Sequence, residues 1–159
     1  MNRESGKSYS VKEATLKLMQ YCAYRDRSQK EVENKLVEMR MIPEAREQII
    51  IKLMQENFLN EERFARSFVR GKFRIKKWGR QRIKKELKFR EISTPIIKLA
   101  MTEINESDYR STLYLLCKKK LYLIKEENPF KKKKKLFDFL LSKGYESSLI
   151  LETIEDLTS

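Results

Sequence analysis

Arg63, Arg66, Arg70, Arg74 and Lys77 recur at spacings of 3, 4, 4 and 3. On a helix that spacing stacks the five along one face. Guanidinium groups in a row recognise phosphates and carboxylates, because each planar fork can give an anion two parallel hydrogen bonds. Residues 63–90 hold thirteen basic side chains and a single acid, Glu86. The candidate binding residues are therefore Arg63, Arg66, Arg70, Lys72, Arg74, Lys76, Lys77, Arg80, Arg82, Lys84, Lys85 and Lys88. Like charges at i,i+4 repel, so the stripe costs stability unless something anionic lies on it. The usual fate of a charge run is a solvated face; the near absence of acids favours binding here.

A second patch is Lys131, Lys132, Lys133, Lys134 and Lys135. These five ammonium groups fall in the first turns of a helix, where the macrodipole prefers anions. Consecutive positions wrap around a helix, so no single groove uses them all. Non-specific phosphate attraction or solvation suits this secondary patch better. The formal charge of the chain is +13, and these two segments carry the excess. Such a balance points to polyanionic partners. Trp78, the only tryptophan, projects onto the Arg stripe if the helix continues that far. It could stack on a base, but a Trp beside a Gly turn more often packs into the corner between helices.

Much chemistry is excluded. With no histidine, the chain lacks His-based catalysis and most zinc sites. Cys22 and Cys117 each lie in an apolar helical stretch and read as buried free thiols. There is no phosphate-cradling glycine motif. The pairs Glu61-Glu62 and Glu126-Glu127 suit cap or surface positions better than catalysis. The expectation is a binding protein with no enzyme activity, metal or cofactor. No aliphatic run is long enough to span a bilayer.

The elements that position these residues read as helices throughout. Four Gly and three Pro are too few for a turn-rich β fold. Ser10-Val11-Lys12-Glu13 and Ser28-Gln29-Lys30-Glu31 are capping boxes. The first opens a helix carrying Ala14, Leu18, Tyr21 and Cys22; the second opens one carrying Val32, Leu36 and Met39. Pro43 starts a third, with Ile49, Ile50, Leu53 and Met54 facing inward. The pattern restarts at Asn60, an N-cap for a helix expected to run to about Lys77 and stop at Gly79. Phe64, Phe68 and Ile75 should face the core from it. Ile83 and Leu87 follow on the next helix, then Ile96, Leu99 and Ile104 after Thr94-Pro95. A last round begins at Ser107-Asp108 with Leu113, Leu116, Cys117, Leu121 and Ile124. Asn128-Pro129 opens a helix bearing Leu136, Phe137, Leu140 and Leu141 and ending at Gly144. Leu149, Ile150 and Ile154 finish the chain.

The middle helices align as Val32-x-x-x-Leu36, Ile83-x-x-x-Leu87 and Leu136-x-x-x-Leu140, followed by Ile42, Ile92 or Tyr145. A three-helix unit buries only part of its surface, so three should stack. The expectation is an all-α chain of three tandem three-helix repeats in an elongated, curved array. Its parts would be a flexible N-terminus at residues 1–9 and repeats at 10–58, 59–106 and 107–159.

Particular residues add a resemblance. Leu59-Asn60-Glu61-Glu62-Arg63-Phe64-Ala65 is similar to the L-[DN]-[DE]-E-R-F-A signature of the RecX family. Gly79-Arg80-Gln81-Arg82-Ile83-Lys84-Lys85-Glu86-Leu87 resembles that family's following G-x-x-[RK]-I-x-x-E-L segment. Residues 25–36 resemble its first-repeat motif, and Leu140-Leu141-Ser142-Lys143-Gly144-Tyr145 its closing one. The match spans about residues 12–156 in order. The resemblance implies a cytoplasmic regulator of the RecA recombinase. Such a protein lies in the groove of the RecA–single-stranded DNA filament, blocks its growth, and suppresses ATPase and strand exchange. It also implies direct but weaker contact with single-stranded DNA, a monomeric state, and no membrane partner. Two departures stand out. The Gly that often ends the first two middle helices is replaced around Arg40-Met41 and Arg90-Glu91, which predicts less sharp turns. The position after Gly79, often Pro, is Arg80.

Two other readings compete. A general nucleic-acid-binding protein could present Arg80, Gln81 and Arg82 at a helix N-terminus, as helix-turn-helix proteins do. A peripheral membrane protein could lay Lys131–Lys135 on anionic lipid, but that needs an apolar face or lipid anchor, and neither is visible.

Overall fold

The computed structural model describes residues 8–159. The described residues form nine helices and no strand. The first three are α1 (Val11–Tyr24), α2 (Gln29–Glu38) and α3 (Pro43–Gln55). Then come α4 (Glu61–Arg74), α5 (Arg80–Phe89) and α6 (Thr94–Met101), followed by α7 (Glu106–Leu123), α8 (Pro129–Lys143) and α9 (Ser147–Thr158). The chain is thus all-α, with its helices in three successive triplets. The expected flexible N-terminus lies outside the described residues except for residues 8 and 9, which have no regular structure.

Local chemistry explains the starts. Ser10 and Ser28 form complete capping boxes with Glu13 and Glu31. The Asn60 and Asn128 side chains cap α4 and α8 as their types suggest. Asn105 caps α7, so that helix opens just before the expected Ser107.

The ends are more informative. Each middle helix finishes in the same Schellman turn, with a left-handed residue at Arg40 (φ 61°), Glu91 (φ 60°) or Gly144 (φ 103°). The next amide reaches back five residues: Met41 N–H to Leu36 O, Ile92 N–H to Leu87 O, and Tyr145 N–H to Leu140 O. The turns at Arg40 and Glu91 are therefore of the same kind as the glycine turn, contrary to the sequence expectation. Holding a Cβ there costs on the order of 1 kcal/mol each. Burial of the following residue offsets that cost. Met41, Ile92 and Tyr145 are all buried, whereas Ile42 is 63% exposed, so Met41 is the true counterpart of Ile92 and Tyr145.

Helix α4 also ends earlier than its charge pattern suggested. It stops at Arg74, and Lys77 turns left-handed at φ 59° while the Trp78 amide donates to Lys72 O. Ile75 lies beyond the last turn and is 78% exposed, so the buried face is Phe64, Ala65, Val69 and Phe73. Met54, Leu99 and Leu141 are likewise exposed, each adjacent to a buried Leu53, Ala100 or Leu140. A step of one residue on a helix rotates a side chain by about 100°, enough to carry it off the core.

Two cores result. One is confined to the first triplet, from Ala14 to Leu59. The other runs unbroken from Phe64 to Ile154 through the second and third triplets. The seam inside this second core is a backbone contact. Gly79 N–H donates to Lys143 O at 2.8 Å, and Gln81 N–H donates to Gly144 O at 2.9 Å. The N-terminus of α5 thereby meets the C-terminus of α8, pairing orphan amides and opposite dipole ends. Gly79 has an ordinary φ of −78°. Its glycine is required for space, because a Cβ there would sit 2.3–2.4 Å from the Gly144 carbonyl and the Tyr145 nitrogen. Tyr145 Oη donates to Lys77 O at 2.8 Å and fixes the turn above the seam. The seam between the first and second triplets is polar instead: Arg63 Nε meets Asp26 at 2.6 Å, and Glu61 accepts from Gln29 N–H at 3.2 Å.

Two glycine replacements should therefore move stability in opposite directions. Gly71 has open space where a Cβ would go. Gly71→Ala should stabilise by about 0.5–1 kcal/mol through helix propensity. Gly79→Ala should destabilise by about 1–3 kcal/mol through overpacking. Denaturant unfolding followed by circular dichroism measures both; equal effects would contradict the seam.

Candidate polyanion-binding surface

Helix α4 supplies the Arg stripe, but acids from other elements already occupy much of it. Arg63 pairs with Asp26 on the α1–α2 connection and also donates to the carbonyls of Asn57 and Phe58. Arg66 meets Glu62 at 3.1 Å and Glu103 at 3.0 Å; Arg70 bonds the other oxygen of Glu103. Glu103 lies just past α6, so it clamps that helix end onto α4. Hydrogen bonds from Arg70, then Arg66, hold its carboxyl below the usual carboxylate range. The repulsion expected along the stripe is thus relieved within the molecule. That relief covers Arg63, Arg66 and Arg70 but not Arg74 or Lys77.

Arg80 is also taken. Its Nε is 2.8 Å from Glu146 and its Nη1 2.8 Å from Glu106, while the guanidinium lies 3.9 Å from the Tyr109 ring centre. Its backbone N–H donates to Tyr109 Oη, which itself donates to Glu146. This places the first turn of α5 against the third triplet. Of the three residues a helix-turn-helix reading would present, Arg80 is engaged by Glu106 and Glu146, while Gln81 is exposed.

Trp78 completes an arrangement invisible in the charge count. Its ring lies between Lys72, at 4.9 Å, and the Arg82 guanidinium, at 4.1 Å. Lys72 also covers Phe68 at 5.4 Å, and Arg90 covers the same ring at 4.8 Å. Cations and rings alternate from α4 across the turn to α5, each half-exposed contact contributing on the order of 0.5–1 kcal/mol. Trp78 also packs against the core. The corner position is therefore the one it takes. The signal lay in the sequence as two i,i+4 series, Phe68–Lys72 and Arg82–Glu86–Arg90, which the stripe on the other face obscured.

What remains uncommitted is narrower than the sequence suggested. Arg74, Lys76, Lys77, Lys84, Lys85 and Lys88 make no ion pair among the described residues. Lys72 makes none either, though it covers two rings. Arg82 has only a 3.4 Å bond to Ser142 O besides its ring contact. These groups occupy the last turn of α4, the connection after it, and α5. In the second patch Lys134 pairs with Asp138 and Lys135 with Glu126, leaving Lys131, Lys132 and Lys133 unpaired. Asn128 caps their helix by accepting from the amides of Phe130 and Lys131.

Comparison with known proteins matches this triplet organisation. Residues 60–101 fit the profile of the second three-helix domain of RecX, and residues 107–154 that of the third. The regulatory protein RecX of Chlorobium phaeobacteroides strain BS1 is 30% identical over 135 residues, covering 84% of this chain and 85% of that protein. The chain belongs to the RecX family. The regulatory protein RecX of Clostridium perfringens strain 13 is 31% identical over 135 residues, and this RecX chain spans 63% of its length. The crystal structure of RecX from Lactobacillus salivarius shares the fold, with a TM-score of 0.83 at 24% identity over 92% of this chain and 96% of that one. In RecX terms the glycine seam joins the second and third three-helix domains. No helix among the described residues is long and apolar enough to cross a membrane.

The Glu103 clamp has a pH signature. Its carboxyl is lowered on folding, so its contribution is fully present above the unfolded value of about 4.3. It is lost as pH falls through the folded value. Denaturant unfolding between pH 7 and pH 3 should therefore show a larger loss of stability for the native chain than for Glu103→Gln. Identical pH profiles would contradict the clamp.

Proposed function

We propose that this RecX-family chain regulates the RecA recombinase by lying in the groove of the RecA–single-stranded DNA filament. In that position it blocks filament growth and suppresses ATPase and strand exchange. The observation that carries the reading is the set of unpaired cations at the end of α4 and along α5. A filament groove exposes phosphate and acidic protein surface side by side. Ammonium groups without internal partners can meet either, because each is a compact charge on a flexible stem.

Within the sequence-derived set, Lys72, Arg74, Lys76, Lys77, Lys84, Lys85 and Lys88 carry the contact. Arg63, Arg66, Arg70 and Arg80 hold the scaffold. Lys131, Lys132 and Lys133 add weaker, non-specific attraction to phosphate. The acting units are residues 10–58, 59–106 and 107–159. The chain works as a monomer in the cytoplasm, touches single-stranded DNA directly but less strongly than RecA, and performs no chemistry.

The test is DNA-dependent ATP hydrolysis by RecA of the same organism, with this protein added below stoichiometry, alongside co-sedimentation with the filament. Inhibition and co-sedimentation are expected; absence of both would overturn the reading. Changing Lys84, Lys85 and Lys88 together to Ala should weaken binding without moving the thermal midpoint. If these lysines meet single-stranded phosphates, the slope of log K against log salt should fall by roughly 2. Arg66→Ala with Arg70→Ala should lower the midpoint instead, because it releases Glu103.

A further inference from the structure

Above the glycine seam, α7, α8 and the connection after α4 enclose a recess of about 250 Å³. Its apolar lining is Leu116 and Leu123 of α7 with Phe139 of α8. Lys77, Lys119, Lys120 and Lys143 supply the rest of its lining. None of the four makes an ion pair among the described residues. Lys120 Nζ lies 4.4 Å and Lys143 Nζ 5.8 Å from the Phe139 ring centre. Leu116, Lys119, Lys120 and Leu123 follow an i, i+3, i+4, i+7 spacing, so one helix face builds both wall and rim. Leu123 is 57% exposed, a large apolar side chain left open to solvent in a recess lined by four lysines.

We propose that this recess takes an acidic peptide segment of a partner protein, seating one large apolar side chain between Leu116, Leu123 and Phe139 while flanking carboxylates meet the four lysines. Pockets for small organic ligands run roughly 300–1,000 Å³, and this one falls below that range but suits a single anchoring side chain. The lining then discriminates between polyanions. No lining side chain can accept a hydrogen bond, because all are Lys, Leu or Phe. A nucleobase brings donors as well as acceptors on its edges. Those donors would find no side-chain acceptor in the recess, so its lining favours a group that carries none. An aliphatic or aromatic side chain carries no such groups. Four lysine charges around an apolar floor are complementary to carboxylates around an apolar anchor, an arrangement that gives specificity as well as attraction. The inference does not rest on the filament reading, since Lys77 alone of the lining belongs to the set assigned there and the other six residues lie on α7 and α8.

The experiment uses the full chain and a fluorescein-labelled twelve-residue peptide of Asp and Glu with one central Phe, followed by anisotropy. A second peptide replaces the Phe by Ser, and a third probe is labelled oligothymidylate. The Phe peptide is expected to bind at least tenfold more tightly than the Ser peptide. Leu123→Glu and Lys119→Glu, both at solvent-exposed positions, should each weaken it at least tenfold with an unchanged thermal midpoint. Leu123→Ser, which adds no charge, should weaken Phe-peptide binding and leave oligothymidylate binding unaltered. Equal binding of the two peptides would overturn the proposal, because charge alone would then explain the affinity. So would Phe-peptide binding that no substitution weakens, or loss of oligothymidylate binding on the uncharged Leu123→Ser, which would put a base in the recess.

Discussion

The backbone contact between Gly79 and Gly144 is the constraint on which the arrangement of the second and third domains depends. Two helix ends of opposite polarity meet there closely enough for amide and carbonyl to pair directly, at 2.8 Å for Gly79 and Lys143. No side chain other than hydrogen fits at either glycine, since a Cβ on Gly144 would lie 2.3 Å from Arg82 Cβ. Around this contact the Tyr109 and Tyr145 rings pack 5.2 Å apart, and the hydroxyls of both reach the chain near Gly79. Burial pushes both phenols above the ordinary tyrosine range, so they stay protonated as donors. Arg80 then ties the seam to Glu106 and Glu146. The outer lysines of α5 owe their orientation to this docking.

The first triplet is joined differently. Its core ends at Leu59, and polar contacts cross to the second domain: Asp26 to Arg63, Glu61 to Gln29, and Lys30 to the Phe89 carbonyl. Partly exposed ion pairs of this kind contribute on the order of 1 kcal/mol or less and weaken with salt. One chain thus combines a dry seam and a wet one. The acids of the wet seam and the α4–α6 clamp also remove Arg63, Arg66 and Arg70 from the pool of free charge, and Glu106 and Glu146 remove Arg80.

Most of the fold was legible in the sequence because its signals are local. Ser10, Ser28, Asn60 and Asn128 announce helix starts through the hydrogen bonds their own side chains make. The periodic Leu and Ile residues mark the buried faces, and the spacing of the middle helices marks the triplets. Errors arose where a residue's fate depends on something distant or on backbone conformation without a glycine to flag it. Lys77, Arg40 and Glu91 turn left-handed despite their Cβ atoms. Gly79 reads as a helix stop but serves as the space for another helix's end. The candidate site suffered most, because a charge count over residues 63–90 cannot see Asp26, Glu103, Glu106 or Glu146. Paired acids within the window were visible; paired acids outside it were not.

Some cations hold the molecule together and others are left for a partner, and one measurement separates the two. Lysine acetylation by a small amine-reactive reagent, read by mass spectrometry with and without the RecA–single-stranded DNA filament, reports which ammonium groups a partner covers. Protection at Lys72, Lys76, Lys77, Lys84, Lys85 and Lys88, with Lys52 unchanged, is the predicted result. Protection confined to Lys131, Lys132 and Lys133, or no difference anywhere, would contradict it.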